Sequence, residues 1–189
     1  MAGTQKRIAV GGTFDPLHRG HEALFRRAFA LAGPGGEVHV GLTSDRLAGL
    51  KARPIRPYGL RRRDVEDFLR GRFHGRKFRV RKLLHPWGAA AREPYDALVV
   101  SPETAPAAEA LNRGRRERGL MPVRVVTVPH VLAQDGKVLS STRIARGEVD
   151  RRGRVLLSAP RFARAGARNP ALRSRASRAR SGRVPRELP

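Results

Sequence analysis

Gly11-Gly12-Thr13-Phe14-Asp15-Pro16-Leu17-His18-Arg19-Gly20-His21 is the stretch that decides how this chain folds. Ahead of it, Lys6-Arg7-Ile8-Ala9-Val10 reads as a short buried strand. Beyond it, Leu24, Ala28, Leu31 and Ala32 recur at helical spacing, which predicts a helix opening near His18 or His21. A strand, a glycine-containing turn and a helix in succession aim backbone N–H groups and the positive end of a helix dipole at a bound anion. His18 and His21, three residues apart, fall on one face of that helix and can offer N–H donors to phosphate oxygens. Gly20 admits a ligand where a Cβ would obstruct it. The stretch therefore reads as a phosphate site, although it contains no Walker A sequence and does not match G-x-G-x-x-G.

Outward from this motif, 189 residues suffice for one α/β domain with a real core and a tail. The absence of cysteine excludes disulfides and thiolate metal sites. No long apolar run or signal-peptide pattern is present, so a cytoplasmic protein without a membrane partner is expected. The formal charge of +24 is the anomaly. Residues 151–189 hold 12 arginines against one acid, Glu187, so the excess is shared with the rest of the chain. Lysine occurs only at 6, 51, 77, 82 and 137. Such a uniform arginine bias reads as composition ahead of a nucleic-acid face, and nucleic acid is not the expected partner despite the basic tail. No feature of the sequence sets an oligomeric state.

Taken in order, Glu37–Thr43 predicts a second strand, and Ser44 and Asp45 cap a short helix ahead of Lys51. After Pro54 and Pro57, Leu60–Phe73 reads as a helix with Val65, Phe68 and Leu69 inward and Arg61, Arg62 and Arg63 on a solvated face. Phe78–Leu83 alternates as a strand with one wet face, and Asp96–Val100 is an apolar run suited to a strand buried on both faces. Ser101-Pro102-Glu103-Thr104 lies at the carboxyl end of that run, where open α/β sheets bind ligands, and a helix follows it to Gly119. Val123–Val128 is the fifth strand. Leu139-Ser140-Ser141-Thr142-Arg143 then opens another helix with hydroxyls and unpaired N–H groups. The predicted class is α/β: a Rossmann-like open parallel sheet with helices on both faces, over residues 1–150. The Arg-rich segment 151–189 fades out of periodicity, and disorder is expected over 165–189.

The first motif resembles the nucleotidyltransferases that carry an HxGH signature. Val99-Val100-Ser101-Pro102-Glu103-Thr104 and the later Leu111-Asn112 and Gly119-Leu120 are similar to the archaeal-type phosphopantetheine adenylyltransferases. Ser140-Ser141-Thr142 resembles the second family signature, in which Ile-Ser-Ser-Thr-x-Ile-Arg holds a triphosphate, with Ala145 standing where that signature ends in arginine. The resemblance implies adenylyl transfer from ATP to 4′-phosphopantetheine, with Mg²⁺ accompanying the nucleotide. It implies His21, His18 and Lys51 as catalytic residues. ATP would meet Gly12, Thr13, Phe14, His18, His21, Ser140, Ser141, Thr142 and Arg146, and the acceptor would meet Thr13, Asp15, Lys51 and Glu103. The alternatives are a related enzyme acting on FMN, nicotinamide mononucleotide or glycerol 3-phosphate, or a basic nucleic-acid-binding module on the same fold.

Overall fold

The computed structural model describes residues 5–156. The segment 165–189, expected to be disordered, lies outside the described residues. Five strands form one sheet: β1 (Arg7–Gly12), β2 (Glu37–Thr43), β3 (Lys77–Leu83), β4 (Ala97–Val100) and β5 (Arg124–Thr127). Their spatial order is β3-β2-β1-β4-β5. Every neighbouring pair is parallel. The chain winds outward from β1 to β3 and then returns to lay β4 on the other side of β1. That reversal opens a crevice at the carboxyl ends of β1 and β4, where such sheets hold ligands.

Helices α1 (Arg19–Ala32) and α3 (Tyr58–Arg72) cover one face, separated in the chain by the short α2 (Asp45–Ala48). Helix α1 ends where Gly33 turns to φ 69°, a conformation that glycine adopts without strain. Its inward Phe25 and Phe29 pack with Val10, Val38, Val40, Val65, Leu69 and Val99 in the main core. Phe29 stacks on Phe73 at 4.2 Å, which joins α1 to the end of α3. The other face is covered differently. A 3₁₀ turn (Gly88–Ala91) and α4 (Ala105–Arg116) are held together there by Arg115, which donates to the carbonyls of Ala90, Glu93 and Met121.

Side chains alternate across a strand. The residues of β1 and β2 that join the main core are Ile8, Val10, Val38, Val40 and Leu42, so Ala9, Gly11, His39 and Gly41 face the other way. Ala9, Gly11 and Gly41 are small, and with His39 they line an open cleft. A Cβ on Gly41 would lie 2.9 Å from the Leu83 side chain, so this floor is built to be flat.

The last described segment carries α5 (Ser141–Ala145) between two isolated antiparallel bridges, Leu132 with Val138 and Val149 with Val155. It has its own small core of Ala133, Leu139 and Val149. The boundary expected at residue 150 falls inside the second bridge. The chain stays with the sheet domain past it, through Gln134 N–H to Gly153 O and Arg19 N–H to Arg151 O.

The triple Arg61-Arg62-Arg63 corrects the expected solvated face. Arg61 is fully buried, whereas Arg62 pairs with Glu66 on the surface. The Arg61 guanidinium donates to Arg56 O at 2.7 Å, to Thr13 O and Thr43 Oγ1 at 3.3 Å each, and to Asp45 Oδ1 at 2.9 Å. Its position is one helical turn before Val65 and two before Leu69, on the same inward stripe.

Candidate active site

The cleft at the carboxyl ends of β1 and β4 has a volume of about 790 Å³. It brings together most of the residues singled out in the sequence: Gly12, Thr13, Phe14, His18, His21, Lys51, Glu103, Ser140, Ser141 and Thr142 all line it. Two do not. Asp15 is buried, and its carboxylate accepts from Arg56 N at 2.9 Å and Arg56 Nε at 2.6 Å. It fastens the first motif to the loop before α3 and has little capacity left for an acceptor. Arg146 stands outside the cleft with its side chain 70% exposed. Arg143, the other arginine flanking Ala145, is drawn off by Asp135 and Glu148.

The two histidines stack at 3.9 Å between ring centroids. Phe14 backs them, its ring edge-on to His21 at 5.0 Å. Phe14 takes φ 50°, unusual for a residue with a Cβ, and its 1% exposure supplies the packing that holds it there. Gly12 is required beneath it, because a Cβ there would stand 3.0 Å from the ring.

His18 is the N-cap of α1, with extended backbone, and its Nδ1 accepts from Gly20 N at 3.0 Å. Accepting at Nδ1 fixes the neutral ring as the Nε2–H tautomer. A Cβ on Gly20 would meet the His18 ring at 2.8 Å, so only glycine lets the imidazole fold back over the helix start. The remaining N–H groups of that first turn are also taken: Arg19 by Arg151 O, His21 and Glu22 by His18 O. This corrects the expectation of free backbone donors at the start of α1. The dipole is still present, but the donors available to an anion here are imidazole N–H groups.

His21 Nδ1 is buried with no hydrogen-bond partner. A buried orphan acceptor is less costly than a buried orphan N–H, so the proton of the neutral ring belongs on Nε2. Burial chiefly, and the Arg53 charge in addition, lowers the His18 pKa to about 4. His21 is held well below its usual range by burial first, then by His18 and Arg53. Both rings are therefore neutral donors at pH 7.

A stability prediction follows with a definite sign. Below pH 6.5 the unfolded chain protonates these imidazoles and the folded chain does not, so stability falls as pH falls. The window runs from 6.5 toward 4, above most carboxylate titration. Each ring contributes at most about 1.4 kcal/mol per pH unit. Thermal melts of the ligand-free protein between pH 7 and 4.5 should show this decline, and His18→Gln should flatten it. An unchanged slope in that variant would show that His18 does not stay neutral in the fold.

The second motif closes the other side. Ser140 caps α5 by accepting from Arg143 N at 3.3 Å, and Ser141 Oγ donates to Pro16 O at 3.2 Å. Ser141 thus spends its hydroxyl proton on Pro16, a bond that ties the two motifs together across 125 residues, whereas Ser140 only accepts in its cap and keeps its O–H to donate. The Ser140 O–H, the Thr142 hydroxyl and the first N–H groups of the turn remain for a ligand. Thr43 Oγ1 donates to Thr13 Oγ1 at 3.2 Å on the cleft floor. Lys51 follows α2 with an exposed side chain at the mouth, and Glu103 is exposed at the end of β4. Two arginines missed in the sequence belong to this architecture. Arg61 supports Thr13 from behind, and Arg53 lines the cleft itself.

Comparison with known proteins agrees with this geometry. The cytidylyltransferase-like family model matches residues 9–147. Phosphopantetheine adenylyltransferase of Methanosarcina mazei is 41% identical over 150 residues, covering 79% of this chain and 96% of that one. The protein of the same description from Archaeoglobus fulgidus is 39% identical over 150 residues, covering 79% and 99%. A crystal structure of an Archaeoglobus fulgidus protein described as of unknown function superposes with a TM-score of 0.60 at 34% identity, covering 65% of this chain and 88% of that one.

Proposed function

The chain belongs to the cytidylyltransferase-like family and, within it, to the archaeal-type phosphopantetheine adenylyltransferases, and from that membership we propose how its cleft carries out the reaction. ATP and 4′-phosphopantetheine give dephospho-coenzyme A and pyrophosphate. A phosphate oxygen of the acceptor attacks the α-phosphorus of ATP, and the bond from that phosphorus to the bridging α–β oxygen breaks. The acceptor phosphate has its second pKa near ~6 and arrives at pH 7 largely as a dianion, so no general base is needed. The protein's task is to align the two phosphates and to stabilise charge on the transferring group and leaving pyrophosphate.

The observation that carries this reading is the stacked His18–His21 pair, neutral and facing the crevice beside β1, with the Ser140–Thr142 turn across from it. His21 donates to the α-phosphoryl oxygens as charge grows there, and His18 to the adjoining phosphates. The Thr13 hydroxyl and the Lys51 ammonium meet the acceptor phosphate. Thr142 and the α5 backbone meet the β- and γ-phosphates. Glu103 flanks the acceptor side at the end of β4. Mg²⁺ would arrive with the nucleotide and would supply charge neutralisation on its phosphates, held there by the nucleotide more than by protein side chains. Among the described residues no three His, Asp or Glu side chains group into a metal cage.

Among the described residues no helix is long and apolar enough to cross a membrane, and the proposed location is the cytoplasm, where both substrates are soluble anions. The test is an acceptor panel read by pyrophosphate release, with ATP and CTP each paired with 4′-phosphopantetheine, FMN, nicotinamide mononucleotide and glycerol 3-phosphate. ATP with 4′-phosphopantetheine should be fastest. Faster turnover with another acceptor would reject the substrate assignment.

A further inference from the structure

We propose that Arg53 is a phosphate-binding residue of this site, its guanidinium serving as the cation that grips a substrate phosphate beside His18 and His21. The proposal rests on the adenylyl-transfer reading of the cleft. Arg53 lies in the loop between α2 and α3, and its side chain is only 16% exposed. It donates to the backbone carbonyls of Asp15 and Pro54, which hold it against the first motif. A guanidinium has five N–H donors, so these tethers leave donors free toward the cleft that Arg53 lines.

A desolvated cation requires a counter-charge. The nearest carboxylate is Asp15, whose Oδ2 lies 3.9 Å from Arg53 Nη1, beyond hydrogen-bond distance. That carboxylate already accepts two bonds from Arg56. Arg53 thus shares Asp15 with Arg56, which has a second carboxylate in Asp64 at 2.7 Å, and among the described residues the Arg53 guanidinium stands beside the histidine pair with no acid hydrogen-bonded to it directly. Its effect is felt there, since the Arg53 charge adds to burial in keeping both imidazoles neutral. A substrate phosphate placed between them would accept from the guanidinium and the two Nε2–H groups together.

The other cations around the cleft are committed elsewhere. Arg81 is paired with Glu93, and Lys82 sits over the Tyr58 ring at 4.8 Å. Arg143 is paired outside the cleft, and Arg146 points to solvent. Among the described residues Lys51 and Arg53 remain. Lys51 is exposed at the mouth, whereas Arg53 is tethered to the carbonyl of the motif that carries the histidines.

Direct binding tests this without requiring turnover. Titrations of Mg·ATP and of 4′-phosphopantetheine, each alone, are made on wild type, Arg53→Gln and Arg53→Lys, with melting temperatures taken on the same samples. Arg53→Gln should weaken one of the two ligands about 10- to 100-fold, the effect of losing a charge-assisted contact. Whichever ligand weakens identifies the phosphate. Arg53→Lys, which keeps the charge, should recover most of that loss. Wild-type affinity for both ligands in a folded Arg53→Gln protein overturns the proposal. So does an Arg53→Lys protein that binds as weakly as the glutamine variant, because the loop's shape would then be responsible. Should Arg53→Gln fail to fold, Arg53→Lys decides alone: near-wild-type binding supports the charge, and a loss beyond tenfold overturns it. If wild type binds ATP and ignores 4′-phosphopantetheine, the acceptor reading fails while the Arg53 comparison on ATP still stands.

Discussion

His21→Ala lowers kcat by roughly 10²–10³ while the dissociation constant for ATP changes far less; that is the expected result, and it follows from where the ring sits. His21 is in the first turn of α1, stacked on His18 and edge-on to Phe14, with its Nδ1 buried and unpartnered. The contacts with His18 and Phe14 fix the ring's orientation. The orientation matters to the donor on the other nitrogen, which gains value as charge moves onto the phosphoryl oxygens. Its contribution is therefore larger in the transition state than in the ground state. The opposing view is that His21 only packs, so its loss would lower the melting temperature and leave folded molecules at full speed. Measuring kcat and the melt on one preparation separates the two. Near-normal kcat per folded molecule removes His21 from the catalytic residues.

The second large effect falls on stability. Arg61→Met should destabilise the fold by about 2–5 kcal/mol, because two part-buried carbonyls and a hydroxyl lose their donor at ~1–3 kcal/mol each, in part relieved by water and relaxation. In a domain of this size that lowers the melting temperature by roughly 5–15 °C. Asp45 contributes little to the loss, since its carboxylate is 61% exposed and returns to water. Arg62→Met is the internal control. It removes a surface i,i+4 pair with Glu66 and should scarcely move the melt. Equal shifts in the two variants would mean that Arg61 is not the buried tie between Thr13, Thr43 and the α3 entrance.

This contrast also marks how far the sequence was legible. The strands and main helices follow from apolar runs broken by glycine and proline, and the parallel sheet follows from their alternation. The histidine pair and the Ser140–Thr142 turn were readable because each is a local pattern whose chemistry lies within a few residues. Arg61, Asp15 and Arg53 are different. Three consecutive arginines look alike in a sequence, and only the spacing of Arg61 from Val65 and Leu69 could have singled out the one that turns inward. Asp15 was read as a ligand contact because it lies in the motif, but its partner is Arg56, 41 residues away. Of the N–H groups at the start of α1, three are taken locally by His18, and only the Arg19 N–H goes to a distant partner, Arg151 O. Pairings of that span leave no periodic trace in a single chain.

The bonds from Ser141 to Pro16 and from Arg19 to Arg151 have a consequence for the order in which the site comes into being. Ser141 is made 125 residues after the phosphate motif it closes on, so all five strands can be present while the cleft still lacks one wall. Among the described residues that wall rests on three buried side chains of its own, Ala133, Leu139 and Val149, against fifteen in the main core. Few buried contacts mean a low free energy of local opening. Amide hydrogens of the 131–155 segment should accordingly exchange ahead of those in β1, β2 and β4. On the nascent chain this wall follows the five strands it closes on, and in the folded protein it is expected to loosen ahead of them.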